Sequence, residues 1–164
     1  MSYANVVDMI ARFGAAELVQ LTDTTFIPPT AMDEARIELK LDDACVFIDG
    51  YVGQVYRLPL RGCAKPTGGD EPEYVPPPVL TRLACDVARY FLYADLAPEH
   101  EVYRRHKAAV AELEAIAAGR AQLACPWGGS PGDLIAADAQ SGSAETAHCF
   151  APRAITDDTL RGFG

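Results

Sequence analysis

The sequence predicts an all-α fold: a small bundle of about five helices over residues 1–120, followed by an extended, irregular tail over 121–164. Three observations carry this. Val79, Leu80, Leu83, Ala84, Val87, Tyr90, Phe91 and Ala94 recur at spacings of three and four, one apolar stripe on a helix of about four turns. Shorter stripes of the same period, bounded by capping residues, flank it on both sides. From Arg120 onward the period is lost and Gly, Pro and Ser punctuate the chain.

The first helix is expected over Val6–Phe13. Asn5 is a good N-cap, Asp8 places negative charge in the first turn, and Gly14 suits the position after the end. Val6, Ile10 and Phe13 form its buried side. A second helix, Ala15–Leu21, turns Leu18 and Leu21 inward and ends at Thr22-Asp23-Thr24-Thr25, before a stiff Pro28-Pro29 connection.

The third helix is expected to start at Thr30-Ala31-Met32-Asp33, a capping box with Asp in place of Glu or Gln. Ile37, Leu41, Ala44, Ile48, Tyr51, Val52 and Val55 trace its stripe. Gly50 and Gly53 lie within it, each costing up to about 1 kcal/mol relative to Ala. That cost suggests a close crossing, a bend or an early C-terminus. Leu58-Pro59-Leu60 closes the element, and residues 61–75 read as an exposed loop.

The central helix follows Pro76-Pro77-Pro78, because proline is tolerated in a first turn and not inside one. Its other side carries Arg82, Asp86 and Arg89, so the acid can pair with either neighbour. A helix this apolar must be covered by the others. The fifth is expected to begin with Pro98 at its first position and to run through Val102, His106, Ala109, Val110, Leu113, Ile116 and Ala117 to Gly119. Glu101 and Arg105 form an i, i+4 pair, and His106 reads as a packed structural histidine.

The net charge of −9 is uneven: residues 1–50 hold nine acids against three bases, residues 51–120 nine against nine, and residues 121–164 five against two. No basic stripe forms, which argues against tight or sequence-specific DNA binding. No apolar run is long enough to span a bilayer, and the N-terminus lacks the pattern of a secretory signal, so a cytoplasmic protein is expected. The five cysteines, Cys45, Cys63, Cys85, Cys125 and Cys149, stand at least eighteen residues apart with no CxxC pair. Structural thiols in a reducing compartment are therefore expected in preference to a metal site.

No catalytic set is evident. Ser130 lies in GGSPG, which is not GxSxG. His148 and Cys149 are mere neighbours in a loop, and His100 and His106 are six apart, off the i, i+4 spacing of a helical metal pair. Lys65-Pro66-Thr67-Gly68-Gly69 is no phosphate loop, and Asp42, Asp43 and Asp49 read as solvated acids on the third helix. No catalytic residue, metal ligand or cofactor is expected. Trp127, Phe150, Leu160 and Phe163 are isolated apolar residues in a polar tail, and with Arg161 they are the candidate subunit-interface residues. Residues 156–163 are expected to form one capped turn, with Leu160 and Phe163 as anchors for the bundle itself or for another subunit.

With the helices placed, four strings in order carry a resemblance. They are Arg12-Phe13-Gly14 with Glu17-Leu18 and Gln20-Leu21-Thr22-Asp23; Ile48-Asp49-Gly50-Tyr51 with Tyr56-Arg57-Leu58-Pro59-Leu60; Leu83 through Tyr93; and Leu160-Arg161-Gly162-Phe163. Together they resemble the small Mu-like phage and prophage head-morphogenesis proteins, over residues 3–119 and again at the end of the tail. The resemblance implies a head–tail connector or head-completion protein: a ring of copies under the portal, with portal or tail-completion proteins as partners and DNA passing through without specific binding. It implies assembly in the host cytoplasm, a place at the head–tail junction, and no catalytic residues. Two other classes remain open: a small helical enzyme or metal-binding protein using Cys63, His148 or Cys149, and a cytoplasmic regulator whose helical groove receives a partner peptide.

Overall fold

In the computed structural model, residues 2–24, 26–69, 71–93 and 99–135 are described. They form five helices and one small hairpin in the order α1 (Val6–Phe13), α2 (Ala15–Thr22), α3 (Glu34–Val52), β1 (Cys63–Lys65), β2 (Glu73–Val75), α4 (Pro78–Leu92) and α5 (Glu101–Ala117). The protein is a mostly-α small domain.

Helix α4 is the centre. Its buried residues are Leu80, Leu83, Ala84, Cys85, Asp86, Val87, Ala88 and Leu92, which go round most of its circumference. Helices α3 and α5 pack against it and against each other, and α1 lies across it with α2 bound to α1 and α3. Ile37, Leu41, Ala44 and Ile48 of α3 and Ala109, Leu113 and Ile116 of α5 complete the core. Burying each large aliphatic side chain of this set contributes roughly 1.5–3 kcal/mol.

The start of α1 is as the sequence dictates. The Asn5 side chain accepts from the Asp8 N–H at 3.0 Å, and the Asp8 carboxylate accepts from the Asn5 N–H at 3.0 Å. Gly14 takes φ 84°, a conformation that favours glycine, and separates α1 from α2.

Several expectations are corrected. Helix α3 starts at Glu34, with Asp33 and not Thr30 as its N-cap; the Asp33 side chain accepts from the Arg36 N–H at 3.1 Å. Thr30 is taken up elsewhere, since its N–H donates to the Asp23 carboxylate at 2.8 Å. The helix ends at Val52, so Val55 follows it and Gly53 is its C-cap, not an interior residue. The Asp49 carbonyl explains that glycine: a Cβ there would lie 2.8 Å from Asp49 O and 3.0 Å from Leu58 Cδ1. Gly50 meets nothing and marks no crossing.

The expected loop 61–75 contains the antiparallel pair β1–β2, with Cys63 opposite Val75 and Lys65 opposite Glu73. Helix α5 begins at Glu101, behind a His100 N-cap whose Nδ1 accepts from the Val102 N–H at 3.2 Å; Pro98, expected at its first position, lies outside the described residues. On the polar side of α4, Asp86 pairs with Arg82 as its spacing allows, and Arg89 does not join it. Asp86 is buried and lies 3.6 Å from Arg105 of α5 and 3.9 Å from Arg82, while Arg89 reaches across to Glu17 of α2. Cys63 and Cys125 are not free thiols: they form a disulfide with Cα atoms 5.3 Å apart. Cys45 and Cys85 are buried and free.

Residues 121–135 return to the bundle. Leu123 is buried and its N–H donates to the Tyr56 hydroxyl at 2.9 Å. Tyr56 pairs with Leu134 as a β-bridge, Arg57 N–H donates to Asp133 O at 2.8 Å, and Ile135 N–H donates to Val55 O at 2.8 Å. Gly132 makes this approach possible, because a Cβ there would stand 2.8 Å from Leu60 Cδ2.

Candidate functional site

Those of the residues weighed for chemistry that are described have structural partners. His100 caps α5. His106 stacks on Tyr90 with ring centroids 3.9 Å apart, and burial lowers its pKa. Ser130 closes its own turn through Gly132, with Oγ 2.7 Å from the Gly132 carbonyl. Asp43 pairs with Lys40 at 2.8 Å. Asp49 is not simply solvated, because it accepts the hydroxyl of Tyr3, whose pKa is raised chiefly by burial and then by that carboxylate. Among the described residues no group of three His, Cys, Asp or Glu side chains converges as a metal site would require. His148 and Cys149 lie outside the described residues.

What the fold does present is apolar side chains held out on braced loops. The connection between α2 and α3 carries Phe26 and Ile27, 59% and 100% exposed. It is pinned from below by Asp23, whose carboxylate accepts the N–H groups of Phe26 at 3.2 Å, Thr30 at 2.8 Å and Ala31 at 3.2 Å. A short carboxylate that gathers several backbone donors fixes a turn that lacks secondary structure of its own.

At the other end of α3 lies a second display. Cys125 and Gly128 close a tight turn, with the Gly128 N–H donating to the Cys125 carbonyl at 3.0 Å. Pro126 is pre-set for the first central position, so Trp127 stands at the second and is 45% exposed. The Cys63–Cys125 disulfide anchors this turn to β1. Leu58, Leu134 and Ile135 are partly exposed in the same region of chain. Beside them runs a groove of about 660 Å³ lined by Tyr56, Arg57, Leu123, Ala124, Gly132 and Leu134 among others.

Of the sequence-derived interface residues, Trp127 is thus exposed on a fixed turn, while Phe150, Leu160, Arg161 and Phe163 lie outside the described residues. Phe26 and Ile27 were not singled out from sequence. Their signal was two large apolar residues in a connection, directly before Pro28-Pro29 and just after an Asp able to brace them.

These features define a small helical domain built around one buried helix, with exposed apolar side chains on braced turns. The chain belongs to the bacteriophage Mu Gp36 family, whose model matches residues 3–133. It is 31% identical over 122 residues to the Mu-like prophage FluMu protein gp36 of Haemophilus influenzae, covering 74% of each chain. It is 32% identical over 123 residues to gene product J of Escherichia phage Mu, covering 73% of this chain and 74% of that one. It is therefore a Mu-like phage protein. No helix among the described residues is long and apolar enough to cross a membrane.

Proposed function

We propose that this protein is a structural component of the virion, a head–tail connector that forms an adaptor ring below the portal, and not an enzyme. The observation that carries the reading is the fixed display of Ile27 and Phe26 on a loop braced by Asp23, in a member of a phage family. A preorganised apolar tip loses little freedom on docking, which suits assembly contacts. Its partners are other copies of itself and portal or tail-completion proteins. The net charge of −9 suits a channel wall along which DNA slides without adhering. The protein is then in the host cytoplasm during assembly and at the head–tail junction afterwards.

The test is a tagged copy expressed during prophage induction, with heads and whole particles separated on a gradient. A fixed low copy number at the head–tail vertex is the expected result. A protein wholly in the soluble fraction and absent from every particle refutes the connector reading.

A further inference from the structure

The Trp127 turn is fastened to the bundle by sulfur. Among the described residues, two backbone hydrogen bonds form between 124 and 130, Cys125 N–H to Gly129 O at 3.2 Å and Gly128 N–H to Cys125 O at 3.0 Å, and both stay inside the turn. Gly128 and Gly129 follow Trp127 at φ 94° and 81°, conformations that favour glycine. The Cys63–Cys125 bond ties this turn to β1.

The two cysteines do not need that bond in order to meet. Strand β1 is held by its pairing with β2, where Cys63 stands opposite Val75. On the other side, the Leu123 N–H donates to the Tyr56 hydroxyl, the Gly62 N–H to Pro131 O at 3.0 Å and the Ile135 N–H to Val55 O. The fold therefore brings both sulfurs together as thiols, and oxidation adds the link. Cys63 is wholly buried and Cys125 is 8% exposed, so a reagent reaches the pair from the Cys125 side as the turn opens.

We propose that Cys63 and Cys125 form a redox-sensitive latch on the Trp127 turn, open as two thiols in a reducing compartment and closed by oxidation to hold Trp127 in one position. Disulfides of cytosolic proteins are usually transient or redox-sensing, because glutathione and thioredoxin keep thiols reduced there. The oxidant is a small disulfide of the oxidised-glutathione class. The Cys125 thiolate attacks one of its sulfurs and releases one glutathione thiolate; the Cys63 thiolate then attacks Cys125 Sγ in the mixed disulfide and releases the second. The two cysteine protons pass through solvent to the two glutathiones, so two thiols and one disulfide become one disulfide and two thiols. A Trp127 held still loses less freedom on docking than one on an open turn, so contacts made through it tighten on oxidation. The latch rests on the connector reading only for the passage from host cytoplasm to released particle.

Trp127 is the single tryptophan of the chain, so its fluorescence reports on this turn alone. The test equilibrates the purified full chain with glutathione, from both directions, and pairs peptide mapping of the cysteines with Trp127 anisotropy and acrylamide quenching. Excess reduced glutathione should open the Cys63–Cys125 bond and excess oxidised glutathione should close it, with higher anisotropy and weaker quenching in the closed form. Cys63→Ser should remove this response. In acid-quenched cells producing the protein, both cysteines should be free for alkylation. The proposal is overturned if the bond survives a large excess of reduced glutathione, if it is already closed in the quenched cells, or if oxidation pairs Cys149 instead. It is equally overturned if the bond opens and closes while Trp127 fluorescence stays the same, or if Cys63→Ser still responds. Failure of the latch in a protein found at the head–tail vertex leaves the connector reading standing. A working latch in a protein absent from particles does the reverse.

Discussion

Arg89 and Glu17 meet through two parallel hydrogen bonds, Nε to Oε1 at 2.7 Å and Nη2 to Oε2 at 2.9 Å, and so fasten α2 to the central helix. The Tyr93 hydroxyl adds a third bond to Glu17 Oε1 at 3.0 Å, and the guanidinium lies 4.5 Å from the centre of the Phe13 ring. The planar fork of arginine fits this carboxylate as a lysine ammonium cannot. Both side chains are mostly buried, at 13% and 25% exposed, so removal of one leaves the other without its partner in a partly dry site.

Glu17→Ala should therefore destabilise the fold by about 2–3 kcal/mol, below the full cost for a wholly buried pair. Arg89→Lys should be intermediate. Urea denaturation of both single variants and the double variant gives the coupling energy. A coupling near zero would mean that the pair contributes packing alone.

His106 is packed against Tyr90, with Phe47 and Phe91 around it, and its buried Nε2 has no hydrogen-bond partner. Burial lowers its pKa from the ordinary value of 6.5. In the unfolded chain His106 takes up its proton near 6.5, and in the folded chain only at lower pH. Between those values the unfolded state binds more protons, so stability falls as pH drops through that window. His106→Phe keeps the stack and removes the titration. Its thermal midpoint should change less between pH 7 and pH 5 than the parent's does, as differential scanning calorimetry would record.

The local part of the fold is legible in the sequence because short-range chemistry decides it. Asn5 and Asp8 are three residues apart and cap α1 from either direction, and the stripe of α4 is a matter of period alone. Misreadings arise where a distant residue competes. Thr30 fits a capping-box pattern, yet Asp23 captures its N–H, so the helix waits for Asp33. Asp86 has the spacing of a surface i, i+4 partner, but Arg105 of α5 covers it. Nothing local can reveal that Cys63 meets Cys125 across 62 residues. The exposed tip was hidden for the same reason, since composition shows that Phe26 and Ile27 are apolar but not that Asp23 holds them outward.

The disulfide closes a long loop that contains β1, β2, α4 and α5. A constraint of this size on the unfolded chain stabilises the native state by up to about 4 kcal/mol in the chain-entropy model. Cys125→Ser, or reduction with dithiothreitol, should lower the thermal midpoint by several degrees and raise amide exchange first at the Leu123 and Ile135 N–H groups. Free Cys85, whose pKa burial pushes up to about 12, should stay unalkylated in the native protein at pH 8. Unchanged exchange at Leu123 after reduction would show that the Tyr56 bond and the bridge to Leu134 hold the segment without the sulfur link.

Deletion of residues 152–164 separates folding from assembly. Among the described residues the five helices fall between Val6 and Ala117, and backbone hydrogen bonds tie the segment that follows to the bundle through Arg57–Asp133 and Ile135–Val55, all of which the deletion leaves in place. The truncated chain should therefore keep its far-ultraviolet circular dichroism and its thermal midpoint. It loses Leu160, Arg161 and Phe163, a cationic and apolar set of the kind that anchors one protein on another. If these residues hook a neighbouring copy or the portal, incorporation into particles should disappear while the soluble protein remains abundant. Normal incorporation of the truncated chain would exclude them as anchors and leave the contact to Ile27, Phe26 and Trp127 on the bundle itself.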